Sequence, residues 1–309
     1  MTILTEPRCV VVGYGSIGSR HTRILQELGC RVAVVSRRAL EDLVVYSSLA
    51  EAVRHHKPEY VVIASETALH HDALLQLAVE GYQGAVLVEK PLFESTRATP
   101  AHRFRRLNVA YNLRFHPVIA RLKTLLADQQ ILSVHGYVGQ YLPDWRPGTD
   151  YKNSYSAKED MGGGVLLDLS HDLDYLVWMF GDWVQVAALG GHLSSLEITS
   201  DDSFTLLMSL SRCRVAAIQL NYLDRRGRRR LIVNTANHTY EADLIRNTLV
   251  TDRTEETFTV ERDDTYRAMH VAMLRGTDDA SCSIDEALSI MRLIDASRRS
   301  NQKREWVTQ

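Results

Sequence analysis

Four groups of residues carry types and spacings that can do chemistry. The first is Gly13-Tyr14-Gly15-Ser16-Ile17-Gly18. Glycines at this spacing let the main chain turn tightly, approach a bulky anion and pack a helix closely on a strand, so that free N–H groups at the helix start face a phosphate. The second is Ser36-Arg37-Arg38, a hydroxyl and two guanidinium groups that would hold a phosphate where an acid would repel it. The third is Glu89-Lys90-Pro91, in which an ammonium can donate to a substrate oxygen and the proline fixes the exit of the chain. The fourth is Asp168, His171, Asp172 and Tyr175, within two turns of an expected helix. An imidazole with an ordinary pKa of about 6.5 suits general acid/base work near neutrality.

These groups need elements to hold them. Residues 8–12 form a short β-rich run, 17–28 show apolar positions at helical spacing closed by Gly29, and 31–35 form a second buried strand. The glycine motif therefore sits inside a complete βαβ unit, and this context makes it a dinucleotide-binding loop, with Gly13, Tyr14, Gly15, Ser16, Ile17 and Gly18 as its contacts. The second strand ends on Ser36-Arg37-Arg38 rather than on Asp or Glu, which predicts NADP over NAD. One charge-assisted hydrogen bond to the extra phosphate contributes about 1.5–3 kcal/mol. Alternation continues with helices at 48–55 and 70–80 and strands at 60–64, 85–88 and 107–111, which predicts a parallel sheet covered on both faces, with Lys90 at the carboxyl end of a strand.

After about Pro117 the pattern changes. A helix over 117–127 leads to strands at 131–141, 184–190, 203–209, 213–221, 229–235 and 238–243, interrupted by one helix at 164–179 and closed by another at 284–299. Consecutive strands without helices between them predict a mostly antiparallel sheet. The expected fold is α/β: a doubly wound Rossmann domain over 1–117, then an α+β domain over 118–309 with an open-faced sheet for substrate binding and oligomerisation. In the 164–179 helix, Leu169, Leu173, Leu176 and Phe180 share one face and Asp168, His171, Asp172 and Tyr175 the other. The loop Gln140–Gly148 brings Asp144, Trp145 and Arg146 ahead of Gly162-Gly163-Gly164; an indole that stacks and charged groups that bind hydroxyls suit a polyhydroxylated ligand. Tyr151, Tyr155 and Lys158 extend this set.

Bulk properties exclude other classes. The 309 residues suffice for two cores, with 45% apolar and 24% charged residues as in an ordinary globular enzyme. A net charge of −2 creates no field toward nucleic acid or an anionic membrane. The basic run Arg225–Arg230 reads as a charged hairpin tip. No stretch reaches the roughly 18 consecutive apolar residues of a membrane span, and the first residues lack the pattern of a secretory signal. Four scattered cysteines form no CxxC pair; no metal site is expected, and a reducing cytoplasm is the simplest compartment.

The glycine loop, Ser65-Glu66-Thr67-Ala68-Leu69-His70, Glu89-Lys90-Pro91, Ala110-Tyr111-Asn112-Leu113-Arg114-Phe115 and Gly162-Gly163-Gly164-Val165-Leu166-Leu167-Asp168 follow one another in order. Together they resemble the glucose–fructose oxidoreductase / inositol dehydrogenase (Gfo/Idh/MocA) family, from residue 8 to about 181. The resemblance implies an NAD(P)-dependent oxidoreductase moving hydride to or from a sugar, inositol or sugar acid. It implies proton transfer and substrate orientation for Lys90, Asp168 and His171, and dinucleotide contacts for Ser65, Thr67, His70, Glu89 and Lys90. Substrate contacts would come from Lys90, Asn112, Arg114, Trp145, Arg146, Asp168, His171 and Asp172. The family's Asp-to-His spacing is four; here it is three, and Asp172 occupies the fourth position. Family members often pair through the second-domain sheet, which implies a homodimer or homotetramer. The alternative reading is a dinucleotide-binding sensor without turnover.

Overall fold

Short runs of β-branched residues without polar alternation must be buried on both faces, and here they become the strands of a seven-stranded sheet. In this computed structural model, which describes residues 6–146, 148–277 and 280–309, β1 (Arg8–Val12), β2 (Arg31–Val35), β3 (Val44–Tyr46), β4 (Tyr60–Ile63), β5 (Ala85–Val88) and β6 (Arg106–Val109) run parallel. Pro147 of the 140–148 loop lies outside the described residues, as do residues 1–5 of the start. The strand order is β3-β2-β1-β4-β5-β6, with the short strand Cys282–Ser283 antiparallel beyond β6. The order reverses between β1 and β4, the switch point at which doubly wound sheets open a crevice at the carboxyl ends of their strands. Helices α1 (Ser16–Glu27), α2 (Leu49–His56) and α3 (His70–Val79) make the crossovers.

Two compact units divide the chain: Met1–Phe115 with Arg262–Ala287, and His116–Glu261 with Leu288–Gln309. The chain thus returns to its first unit, where the expected division had a single cut after 117. The return contains a helix, Asp264–Arg275, whose Met269 and Met273 join Cys9, Val11, Leu25 and Val62 in one apolar cluster. Buried His270 and Thr265 interrupt its apolar stripe and hide it from periodicity.

The second unit opens with helix α4 (Pro117–Leu125) and is built on a nine-stranded sheet. Its strands are β7 (Ile131–Gly139), β8 (Trp183–Gly191), β9 (Ser203–Leu210), β10 (Cys213–Asn221), β11 (Arg228–Thr235), β12 (Thr239–Asp243), β13 (Thr248–Thr251) and β14 (Thr254–Thr257), in the order β14-β13-β12-β11-β7-β10-β9-β8, with Val307–Thr308 at the far edge. Only β7 and β10 pair in parallel. One face carries Val134, Leu206, Ile218 and Leu231, all buried. The other carries the directly opposed row Leu207, Ala217, His135 and Ile232, with Leu207 43% and Ile232 37% exposed. Because β7 lies between β10 and β11, the basic run is a crossover and the start of a strand, not a hairpin tip. Three of its five arginines pair with carboxylates: Arg228 with Asp224 at 2.6 Å, Arg229 with Asp172 at 3.2 Å and Arg230 with Asp243 at 2.8 Å. Among the described residues no helix is long and apolar enough to cross a membrane.

The helix expected over 164–179 is two: α5 (Val165–Asp168) and α6 (Ser170–Phe180), separated at Leu169. Its amphipathic reading is also corrected. In α6, Asp172, Asp174 and Tyr175 are as buried as Leu173 and Leu176, so no face of it is a solvated polar one.

Candidate active site and dinucleotide cradle

The glycine loop follows β1 directly. Gly13 adopts φ +93°, and a Cβ there would lie 2.8 Å from the Ala64 carbonyl oxygen. At Gly18 a Cβ would stand 2.1 Å from the Gly13 carbonyl oxygen, so only glycine lets α1 seat on the turn. Gly15 differs: a Cβ there would meet nothing within 4 Å. It is the N-cap of α1, and no side-chain cap hydrogen bond closes the start of the helix. Beside the loop, the buried Ser65 hydroxyl has no hydrogen-bond partner among the described residues. An uncapped helix start, an open approach at Gly15 and an orphaned hydroxyl fit the diphosphate and ribose of a dinucleotide. At the end of β2, Ser36 Oγ accepts from the Arg38 N–H at 3.0 Å, while Arg37 and Arg38 are exposed.

Other expected cofactor contacts are turned inward. His70 is buried, with Nδ1 3.1 Å from the Leu92 carbonyl and Nε2 3.1 Å from the Ser65 carbonyl, so it braces two loops. Burial pushes its imidazole below the ordinary value. Glu89 has Oε1 2.8 Å from His21 Nε2 and Oε2 accepting from the Lys90 N–H at 3.0 Å, which commits both carboxylate oxygens to the protein. Thr67 opens a short 3-10 turn, Thr67–Leu69. The Lys90–Pro91 peptide is cis.

Two expected substrate contacts also lie inside the first unit. Arg114 is 1% exposed and pairs with Glu286 at 3.0 Å. Asn112 donates to Thr265 Oγ1 at 2.7 Å. Both partners sit on the returning segment, so these polar groups fasten that segment to the sheet instead of facing a ligand. A buried guanidinium needs such a carboxylate, because an unpaired one is costly.

In the second unit the glycine triplet shapes the approach to Asp168. A Cβ on Gly163 would lie 2.3 Å from the Tyr155 carbonyl oxygen, and one on Gly164, at φ +115°, 2.7 Å from Asp201 Oδ1. Asp201 in turn accepts from the Leu166 N–H at 3.3 Å, and its carbonyl from the Val165 N–H at 3.1 Å, which fixes the start of α5. Asp168 then follows, 6% exposed, with Oδ2 accepting from the Tyr222 hydroxyl at 2.6 Å. The Asp168 charge, then burial, pushes the Tyr155 phenol well above its ordinary value; burial and the same charge do so for Tyr222. Both phenols stay protonated and serve as donors. Trp145 meets Tyr222 edge-on, with ring centres 5.1 Å apart, and the Arg146 guanidinium lies 5.5 Å over the Tyr155 ring. The half-buried His171 follows Asp168 within one turn. The structure thus groups Asp168, Trp145, Arg146 and Tyr155, and adds Tyr222, which lies just past a strand 54 positions away and gives no local signal.

Asp172 does not join this group. It is 0% exposed, accepts from the Tyr175 hydroxyl at 2.5 Å and pairs with Arg229 at 3.2 Å. The one-residue step from His171 turns it into the interior of the unit.

Comparisons with known proteins agree with the fold. A model of the oxidoreductase family's NAD-binding Rossmann fold matches residues 7–105, and a model of the GFO/IDH/MocA C-terminal domain matches residues 119–241. An uncharacterized oxidoreductase of Synechocystis sp. is 30% identical over 154 residues, a match spanning 46% of this chain and 40% of that protein's length. Among solved structures, GenD2 from gentamicin A biosynthesis, in complex with NAD, has a TM-score of 0.79 at 21% identity over 100% of this chain and 98% of that one. A levoglucosan dehydrogenase in complex with NADH and L-sorbose has a TM-score of 0.82 at 15% identity over 98% of each chain. At such identities the likeness is one of fold. With one family's models matching both parts, the chain belongs to the GFO/IDH/MocA oxidoreductases, whose N-terminal domain is an NAD-binding Rossmann fold.

Proposed function

We propose that this protein is a dehydrogenase or reductase acting on a CH–OH group of a sugar, polyol or sugar acid, with NADP preferred over NAD. The observation that carries the reading is the Asp168 cup: a fixed carboxylate between two protonated phenols and walled by Trp145, with the half-buried His171 three residues further along the chain. A carboxylate accepts from substrate hydroxyls and an indole face covers a sugar ring, while the half-buried imidazole can exchange a proton. The levoglucosan dehydrogenase of the same fold holds L-sorbose with NADH, which points to the same class of ligand.

When bound, the dinucleotide supplies the hydride acceptor or donor. Gly13 to Gly18 at the start of α1 would hold its diphosphate, and Ser36, Arg37 and Arg38 would hold its 2′-phosphate. His171 would take the substrate's hydroxyl proton in oxidation and return it in reduction. Lys90 would donate to a substrate oxygen, and Asp168 would orient His171 or hold a substrate hydroxyl. Proton transfer by a positioned group contributes about 10²–10⁴-fold.

Nicotinamide-fluorescence titration tests the cofactor assignment. NADPH binds at least about tenfold more tightly than NADH, and Ser36→Asp reverses the order, because one lost charge-assisted bond and one new repulsion each exceed about 1.4 kcal/mol. Equal affinities in the unsubstituted protein contradict it. The exposed row Leu207, Ala217, His135 and Ile232 is assigned to pairing with a second copy. Light scattering then gives twice or four times the chain mass, and a monomer at micromolar concentration removes that assignment.

A further inference from the structure

Four side chains from distant parts of the sequence meet inside the first unit. Tyr60 on β4, His270 on the Asp264–Arg275 helix, His21 on α1 and Glu89 after β5 are 1%, 0%, 0% and 7% exposed. The Tyr60 hydroxyl lies 2.9 Å from His270 Nδ1, His270 Nε2 lies 2.8 Å from His21 Nδ1, and His21 Nε2 lies 2.8 Å from Glu89 Oε1. The other Glu89 oxygen accepts from the Lys90 N–H at 3.0 Å. Tyr266 packs edge-on to His21 at 5.6 Å, with the Arg20 guanidinium 5.1 Å over its ring.

With both imidazoles neutral, the protons in this chain have one consistent placement. Burial raises the Tyr60 phenol far above its ordinary value, so its hydroxyl donates and His270 Nδ1 accepts. Burial, then the neighbouring His21, holds His270 far below its ordinary value and therefore neutral. Its one proton is then on Nε2 and is donated to His21 Nδ1. His21 Nδ1 is thereby an acceptor, so the His21 proton sits on Nε2 and is donated to Glu89. Every bond points toward the carboxylate, and reversing any one would set two lone pairs or two protons face to face. A buried network satisfied in a single direction is rigid, because a slack member leaves a buried polar atom without its bond.

We propose that His21 and His270 are positioning residues for Lys90: with Tyr60 they form a one-way hydrogen-bond wire that ends on Glu89 and, through its second oxygen, fixes the main chain from which the Lys90 side chain departs. The inference rests on the proposed role of Lys90 for its kinetic consequence, but not for the wire itself. Four elements converge on one peptide group, and the helix of the returning segment supplies the middle link. That segment thereby has a part in the site as well as in the core.

Nitrogen NMR of the imidazoles tests the wire in the unsubstituted protein. Both rings are expected neutral with the proton on Nε2 at neutral pH; a proton on Nδ1 of either ring, or a doubly protonated ring, overturns it. Amide hydrogen exchange tests the anchoring. In His270→Phe the Lys90 amide exchanges at least about tenfold faster while the β5 amides keep their rates, and His270→Gln, which can both accept and donate, restores protection. Unchanged exchange at Lys90 in a folded His270→Phe protein overturns the proposal. Should that variant not fold, failure of His270→Gln to retain protection does the same. In turnover, His270→Phe lowers kcat about tenfold with the dinucleotide KM within about twofold, and adds no loss to a Lys90→Met protein. A fully additive loss overturns the positioning role. If Lys90→Met retains full turnover, the catalytic reading of Lys90 fails, and the NMR and exchange results decide the wire by themselves.

Discussion

Replacing His171 by alanine is expected to lower turnover by about 10²–10⁴-fold while leaving dinucleotide affinity within about twofold. The two effects separate because His171 belongs to the second unit and the glycine cradle to the first. The imidazole is half-buried, and under the proposed mechanism its loss removes the proton acceptor while Asp168, held by Tyr222, remains to bind a substrate hydroxyl. The substrate KM therefore changes less than kcat, the pattern of an interaction made mainly in the transition state. Steady-state kinetics with a parallel fluorescence titration measure all of this. Turnover within about threefold of the unsubstituted protein would remove His171 from the mechanism and shift attention to the phenols of Tyr155 and Tyr222.

The adjacent residue predicts the opposite division. Asp172→Ala is expected to destabilise the fold by about 3 kcal/mol and to leave the substrate KM of the remaining folded protein within about twofold. Asp172 is fully buried against Tyr175 and Arg229, so alanine strands a guanidinium that is largely out of water and a phenol that has lost its acceptor. For a chain of this length that corresponds to a fall in melting temperature of roughly 6–10 °C. Asp172→Asn, which keeps an acceptor for Tyr175 but not the charge, should lose less. A normal melting temperature with a raised KM would return Asp172 to the substrate site, where its sequence spacing first placed it.

The cradle was legible because its signals are local. A glycine triad after a strand, a strand over 85–88 with the same bounds in the structure, and Gly162-Gly163-Gly164 before Asp168 each depend on neighbours within a few residues. What escaped depends on partners far along the chain. Arg114 and Asn112 look like exposed ligands in a list of polar residues, yet Glu286 and Thr265, 172 and 153 positions away, claim them. Tyr222 carries no mark of its own; only the closing of the sheet brings it to Asp168. β13 and β14, reading Thr-Leu-Val-Thr and Thr-Glu-Glu-Thr, are edge strands with too little apolar content to announce themselves. The helix at 264–275 was hidden by the buried histidine that its fold requires.

The same contrast explains the polar helix. Asp168, His171, Asp172 and Tyr175 share a face on an ideal helical wheel, but the break at Leu169 and the packing of α6 on all sides separate them. Asp168 remains with the cup, while Asp172 and Tyr175 satisfy each other inside.

The most direct test of the account is one experiment in a single cuvette: purified protein, oxidised NADP or NAD, and in turn a sugar, an inositol, a uronic acid and a nucleotide-linked sugar, with the reduced nicotinamide followed by its fluorescence. The account predicts reduced nicotinamide with at least one of these compounds, formed faster with NADP than with NAD and abolished by His171→Ala. Tight dinucleotide binding with no reduced nicotinamide from any compound, and no oxidation of NADPH by the corresponding keto sugars, would contradict it and leave a protein that binds the dinucleotide without turning it over.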